Sequence, residues 1–558
     1  MNTVSTDARS GGQILVDALK IHGTKTVYCV PGESFLPVLD ALYHARQDID
    51  LIVCRQEGGA ANMAEAYGKI TGEPGICFVT RGPGSTNASI AVHTARQDST
   101  PLILFVGQIE RSGMGREAWQ EIDYRQMFGS IAKWADQVDS VDRLPEMISR
   151  AFSVATSGRP GPVVLALPED MLSELSTVKD PVRYQRSFGA PTPQAIDQML
   201  DLIAHAKKPL LILGGGGWTE QATIDITHFA ETYNLPVICA FRRQDLIDNR
   251  HQNYIGEAGL GMNPKVTEKI GDSDLLIVLG ARMGETSTIS YTLLDIPNPK
   301  QTLIHIHNDP NELGHVYQAT LGINSSPISF AAAVSKLPAP TSSNQQEEWV
   351  SAGRQHYLDY IEPLNTIGDI NLGEIVSYLN TTIPEDSYIT NGAGNYTLWV
   401  QRFFQFKKYK SQLAPTSGTM GYGLPAAIAA KIEHPDRLSI CFAGDGCFLM
   451  NGQELATAVQ YHANVIIIVI NNGMYGSIRM HQERHYPGNV WGTQLINPNF
   501  VELAKSYGAY AELVKSTTDF PDAFERAKLA GRPALLELQT SDEILTPRLT
   551  VTDIRNAH

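Results

Sequence analysis

The chain has 558 residues, which at about 150 residues per domain sets an expectation of three to four domains. Hydrophobic residues make up 43% and charged residues 18%, with 47 Gly and 31 Pro spread among apolar runs, an α/β-like profile that excludes a disordered chain. The 44 Lys+Arg against 59 Asp+Glu leave a formal charge of -15, which argues against a basic nucleic-acid groove.

The first twelve residues, MNTVSTDARSGG, hold no basic stretch followed by an apolar core, so no secretory leader is expected. The longest aliphatic run, Val465–Ile470, falls far below the roughly 20 residues of a membrane helix. A cytoplasmic chain with neither membrane nor nucleic acid as partner is the expectation. The six cysteines (Cys29, Cys54, Cys77, Cys239, Cys441 and Cys447) form no C-x-x-C pair and lie in apolar segments, which predicts reduced core thiols.

From Gly12 to about Asp170, short apolar runs stop at glycine, proline or polar residues. TVYCV ends at Pro31-Gly32, LIVC at Arg55-Gln56-Glu57, GICFVT at Arg81-Gly82-Pro83-Gly84, and PLILFVG at Gly107. With helical stretches between them, these predict parallel strands of a doubly wound sheet whose functional residues follow the strands. The pattern fades around Ser173–Pro193, then a second set begins: PLLILGGGG, LPVICA, DLLIVLG and TLIHIHND. PAPTSSNQQ at Pro338–Gln346 is linker-like, and beyond Leu372 the strands SYIT, SICFAG, VIIIVI and PALLELQ follow. The expected fold class is α/β, with three doubly wound parallel-sheet domains over residues 1–180, 190–340 and 365–558. GICFVTRGPGSTN and LSICFAGDGCFLMNG share a strand opening into a Gly-rich turn, which suggests a duplicated unit in the first and third domains.

The most specific chemistry lies in the third domain. LSICFA runs into Gly444-Asp445-Gly446, and 27 residues after Asp445 the strand VIIIVI ends in Asn471-Asn472. Neighbouring parallel strands would bring Asp445 and Asn472 together, offering hard oxygen ligands that suit Mg²⁺ shared with a phosphate. The glycines admit a close backbone approach, and a helix from Asn451 is expected to point its N–H groups at the anion.

This GDG…NN pattern resembles the cofactor fingerprint of the thiamine diphosphate enzymes. The resemblance implies a pyrimidine-binding domain, a central domain and a diphosphate-binding domain, with Gly444, Asp445, Gly446, Cys447 and Asn472 at the cofactor. Asp445, Asn472 and the Met474 carbonyl are then the Mg²⁺ ligands. Glu57 in RQEGGAANMAEAYGK is similar to the family's glutamate on the aminopyrimidine ring. Pro83 and Asn87 in GPGSTN and Met420 in SGTMGYGLPAA resemble the loops around the pyrimidine, with Met420 as the bulky residue beneath a bent cofactor. Asn395 and Tyr396 in NGAGNYTLW occupy positions that contact the diphosphate.

The likeness spans nearly the whole chain, including GRPGPVVLALPED, and points to the acetolactate synthase branch. There one small 2-oxo acid loses CO₂ and its remaining unit is joined to the carbonyl of a second. Gln120, assigned a catalytic place, and Lys133 match positions lining that branch's active-site channel. Three departures bear on substrate: Glu33 stands where the branch has a second Gly, Trp119 where it has Phe, and His481 where it has Trp. Decarboxylases of the wider family carry an acid at the place of Glu33, so aldehyde release is the alternative activity. A silent cofactor-binding scaffold or regulator is the alternative of another class. His481, Glu483 and His485 lack the H-E-x-x-H order, so no zinc site is expected. Relatives hold FAD or an adenine nucleotide in the central domain. Here Thr219 and Glu220 break G-x-G-x-x-G after Gly214–Gly217, and His307 replaces an acid, so FAD and a dry structural domain both stay open. The resemblance also implies a homodimer or homotetramer with its active site at the subunit interface, and leaves a regulatory subunit undetermined.

Overall fold

A computed structural model describes residues 8–340 and 346–557 of the chain. The first seven residues of the expected leaderless start and most of the expected linker at Pro338–Gln346 therefore lie outside the described residues. Three six-stranded sheets carry the fold, and every strand pair within them is parallel.

The first sheet contains β1 (Thr26–Cys29), β2 (Asp50–Val53), β3 (Gly75–Thr80), β4 (Leu102–Gln108), β5 (Trp134–Gln137) and β6 (Pro162–Pro168), in the order β2-β1-β3-β4-β6-β5. The second contains β7 (Pro209–Leu213), β8 (Val237–Ala240), β9 (Tyr254–Ala258), β10 (Leu275–Leu279), β11 (Thr302–His307) and β12 (Leu321–Asn324), ordered β9-β8-β7-β10-β11-β12. The third contains β13 (Tyr388–Asn391), β14 (Gln412–Leu413), β15 (Ser439–Gly444), β16 (Ile466–Asn471), β17 (Tyr510–Val514) and β18 (Ala534–Gln539), ordered β14-β13-β15-β16-β18-β17. The first and third sheets thus share one topology, as a duplicated unit would. The second has the order of a dinucleotide-binding sheet.

Central strands are buried along their whole length, as in β4, β6 and β10, because helices cover both faces of a parallel sheet. The expected aliphatic strands all form. The strands without an aliphatic run, β5, β9, β12, β14 and β17, are all sheet edges. All six cysteines are free and buried. No helix among the described residues is long and apolar enough to cross a membrane.

The chain packs as two compact units. One holds the residues up to Ser187 together with 424–434 and 451–463; the other holds 188–423, 435–450 and 464–558. In the first unit, fully buried Glu454 accepts hydrogen bonds from the backbone N–H of Arg55 (3.1 Å) and Gln56 (3.0 Å) and from the Thr457 hydroxyl (2.6 Å). It thereby holds the turn that starts the helix Glu57–Thr71. Gly59 makes this approach feasible, since a Cβ there would lie 2.4 Å from Glu454 Oε1. Burial pushes the Glu454 carboxyl above its ordinary range, partly offset by these donors.

In the second unit, the helix Gly476–His485 is tied to the C-terminal helix Val551–Asn556 through Glu483. Its buried carboxylate accepts from Arg479 (2.9 Å), from Arg555 (2.8 and 2.9 Å) and from the Gly488 N–H (3.1 Å). These donors, Arg555 foremost, bring its carboxyl down to about 2. Glu483, between His481 and His485, is thus engaged by two arginines and a backbone N–H.

Two stability outcomes follow. Glu454→Ala leaves the partly buried backbone amides of Arg55 and Gln56 without this acceptor and is expected to cost about 1–3 kcal/mol, read as a lower denaturant midpoint. Because folding depresses the Glu483 carboxyl, its contribution is full above about pH 4.5 and is lost as pH falls toward 2. Glu483→Gln is therefore expected to speed hydrogen exchange in Val551–Asn556 at pH 7, with the difference from the parent shrinking below pH 4.5. An unchanged difference down to pH 2 would contradict this.

Candidate active site

Residues that follow parallel strands collect at the carboxyl edge of a sheet, next to the point where strand order reverses. In the first sheet that point lies between β1 and β3. Glu33 opens a short 3-10 turn after β1 and is exposed. Glu57 is the first residue of its helix after β2 and is half-buried. The helix Arg81–Asp98 follows β3 directly, and from it the Asn87 amide donates to Glu57 Oε2 at 2.9 Å. Exposed Pro83 lies on the same helix, and the Gln120 carbonyl accepts from the Gly82 N–H at 3.0 Å. Gln120 has a positive φ of 68°, and neighbouring Trp119 is 72% exposed beside the Arg81 guanidinium.

Lys133 does not join them. It precedes β5, at the amino end of the sheet, and its ammonium donates to the carbonyls of Val154 (2.6 Å) and Ser157 (2.7 Å). Those carbonyls close the helix Leu144–Thr156, where a cation is favoured by the helix dipole. The channel role expected for Lys133 is corrected to a helix cap on this geometry.

In the third sheet, β15 pairs with β16 so that Gly444 lies opposite Ile470. Asp445 and the Asn471-Asn472-Gly473 turn consequently meet. Asp445 is 2% exposed; its Oδ1 accepts from Gly446 N–H (2.8 Å) and its Oδ2 from Gly473 N–H (2.9 Å) and the Asn497 amide (2.7 Å). Asn497 also donates to Asn471 Oδ1 at 2.9 Å, and Asn471 donates to Glu537. Asn497 was invisible to motif reasoning because it sits in an ordinary loop, NPNF, far from either fingerprint.

A cavity of about 220 Å³ opens here, lined by Asp445, Asn472 and Met474 together with Gly444, Gly446, Cys447, Asn395, Tyr396 and Met420. The Tyr396 hydroxyl contacts the Gly392 N–H (3.0 Å) and Cys447 Sγ (3.3 Å), so Tyr396 offers the cavity its ring and not its hydroxyl. Asn395 accepts from the Ser477 hydroxyl at 2.7 Å. The helix expected from Asn451 is broken. A helical turn, Asp445–Phe448, starts at the aspartate itself, and a 3-10 turn and the helix Leu455–Gln460 come later. Asn451, at φ -139°, leaves helical geometry before Gly452.

These residues fit a divalent cation carrying a diphosphate. Burial pushes the Asp445 carboxyl above its ordinary range, and the groups that oppose this are N–H donors, none of them a cation. Carboxylate, amide and carbonyl oxygens from Asp445, Asn472 and Met474 are the donor set that Mg²⁺ prefers. Gly446 keeps the approach clear, since a Cβ there would lie 2.6 Å from the Tyr475 ring.

In the central sheet, Trp218 Nε1 donates to the Gly214 carbonyl (2.8 Å) and folds the indole over the Gly214–Gly217 turn. His307 is 5% exposed, with its ring nitrogen engaged by the Asp309 N–H at 3.0 Å.

Family comparison agrees with this geometry. Residues 9–127 match the thiamine pyrophosphate enzyme N-terminal TPP binding domain, 196–334 its central domain, and 392–538 its C-terminal TPP binding domain. The chain is 31% identical to a probable acetolactate synthase large subunit of Methanocaldococcus jannaschii, covering 95% of this chain and 91% of the relative. It is also 31% identical to the acetolactate synthase large subunit of Cyanidium caldarium (95% and 93%) and 29% identical to the acetolactate synthase isozyme 2 large subunit of Escherichia coli (strain K12) (96% and 96%). The chain therefore belongs to the thiamine pyrophosphate enzymes, alongside the acetolactate synthase large subunits, and is a thiamine diphosphate-dependent enzyme.

Proposed function

We propose that the protein decarboxylates a small 2-oxo acid and joins the remaining unit to a second carbonyl, with thiamine diphosphate and Mg²⁺ held at the Asp445 cavity. The observation that carries this is the lining shared by Asp445, Asn472, Met474 and Met420. When bound, thiamine diphosphate supplies the carbon nucleophile for the 2-oxo carbonyl and accepts the electron pair left by CO₂. Asp445 Oδ, Asn472 Oδ1 and the Met474 carbonyl would hold the metal, and Met420 would support the cofactor's bend. Glu57 would hold a proton at the pyrimidine ring, with the Asn87 amide fixing its carboxylate. Gln120 and Trp119 flank that glutamate's edge of the sheet, and His481 belongs to the substrate side.

Glu33 supports a second reading, release of an aldehyde, because an exposed acid at the carboxyl edge can deliver a proton. The exposed Leu36, Ile90 and Trp119 near these residues support a homo-oligomer in which a second copy covers this edge. Relatives named as large subunits add a smaller chain as a partner class. Six buried free cysteines suit a reducing, cytoplasmic setting. The indole over Gly214–Gly217 and the engaged His307 favour a central domain without FAD, and a purified protein lacking flavin absorbance is expected.

With pyruvate, thiamine diphosphate and Mg²⁺, acetolactate is the expected product; acetaldehyde alone would replace the carboligation reading by the second one. Glu57→Gln is expected to lower turnover about 10²–10⁴-fold while cofactor binding, followed by calorimetry, survives. Unchanged turnover would remove Glu57 from the chemistry. Sedimentation of an active monomer would remove the oligomer.

A further inference from the structure

A second cavity, about 560 Å³, adjoins the cofactor cavity and shares Ala393, Gly394, Asn395, Gly418 and Ser477 with it. Its charged lining is entirely basic: Arg242, Arg402, Arg484 and Arg548, with His481 beside them, and no Asp or Glu among the described residues. This is unexpected in a chain of formal charge -15. Three of the four are unpaired: Arg402, Arg484 and Arg548 have no carboxylate at ion-pair distance among the described residues, whereas Arg242 lies within electrostatic reach of Glu257, and Arg479, on the same helix as Arg484, shares Glu483 with Arg555.

Arg402 is the most telling of them. It is 7% exposed, its Nε donates to the Tyr360 carbonyl at 2.7 Å, and its buried Nη1 has no hydrogen-bond partner. Its guanidinium lies 4.2 Å from the Tyr360 ring centre, and that of Arg548 lies 4.8 Å from the same ring. Two cations on one ring with no counter-anion repel each other, and both burial and Arg548 lower the Arg402 pKa. Glu257 lines a smaller cavity of about 30 Å³ that also borders Arg402, and its carboxylate accepts from the Arg242 N–H. Buried, unmatched guanidinium donors are costly unless an anion completes them, and a planar fork of N–H groups fits a carboxylate or similar oxyanion.

We propose that this vestibule receives a second anionic group at the far end of the substrate, so that the enzyme prefers 2-oxo acids carrying a distal carboxylate, phosphonate or sulfonate over pyruvate-like monoanions. The inference rests on the proposed thiamine diphosphate reaction and names its substrate class. The reacting carboxylate and carbonyl lie toward Asn395 and Met420, and the distal anion lies among the arginines.

The test compares 2-oxoglutarate with 2-oxopentanoate, which has the same chain length without the distal carboxylate, each as donor by CO₂ release and as acceptor beside pyruvate by product mass. A phosphonate-bearing 2-oxo acid distinguishes the type of distal anion. At least about a tenfold preference in kcat/KM for the dianions is expected, falling with added salt. Arg484→Gln and Arg548→Gln should each raise KM for 2-oxoglutarate about tenfold more than KM for 2-oxopentanoate, with melting temperature retained. Equal preference, or equal effects of both variants on the two acids, overturns the inference. Capture of CoA, a nucleoside diphosphate or FAD by the same arginines without dianion preference overturns it too. If no 2-oxo acid releases CO₂, the proposed reaction fails. Calorimetric titration of 2-oxoglutarate against 2-oxopentanoate then decides the vestibule separately: selective binding lost in the two variants upholds it, and no selectivity rejects it.

Discussion

The pairing of β15 with β16 is the constraint on which the candidate site depends. Parallel registry sets Gly444 opposite Ile470, so the next residues, Asp445 and the Asn471-Asn472-Gly473 turn, have to meet at the same edge. Asp445 is then buried among N–H donors with no cationic partner, an arrangement that favours a bound cation over a bare carboxylate. Asn497 bridges Asp445 and Asn471 and keeps the turn in place.

The glutamate of the first unit rests on the same logic applied to another carboxylate. Glu454 takes its hydrogen bonds from the backbone of Arg55 and Gln56, one residue before Glu57, and so sets where the helix carrying Glu57 begins. The start of the helix carrying Glu57 is thereby fixed by a carboxylate distant in sequence but held in the same compact unit. The basic vestibule adds a third electrostatic element. Whole-chain charge is negative, yet the cavity beyond Asn395 gathers arginines, so the local field there is opposite in sign to the net charge.

Much of the fold was legible because central parallel strands bury both faces and must be continuous apolar runs, as in GICFVT, DLLIVLG and VIIIVI. Edge strands pair on one side only and tolerate polar residues, which is why β5 (WADQ), β9 (YIGEA) and β17 (YAELV) carry no such run. The GDG and NN fingerprints were legible for a similar reason, since each follows a run of that kind. Lys133 was misread because a lysine beside a tryptophan carries no sign of which end of the sheet it occupies. The broken helix at Asn451 and the Tyr396 hydroxyl turned toward Cys447 were hidden for the same reason, being set by neighbours far along the chain.

The sequence by itself determined the α/β class, the three sheets and the family, because local periodicity and short spacing encode them. Only the tertiary structure decided that the segments 424–434 and 451–463 pack with the first unit, that Glu454 fixes the start of the Glu57 helix while Glu483 and Asn497 hold the C-terminal helix and the turn after β16 in the second, and that four arginines scattered between positions 242 and 548 line one cavity. Those features come from contacts between residues far apart in the chain, and the physical reason they stay hidden is that burial and charge pairing are properties of neighbours in space.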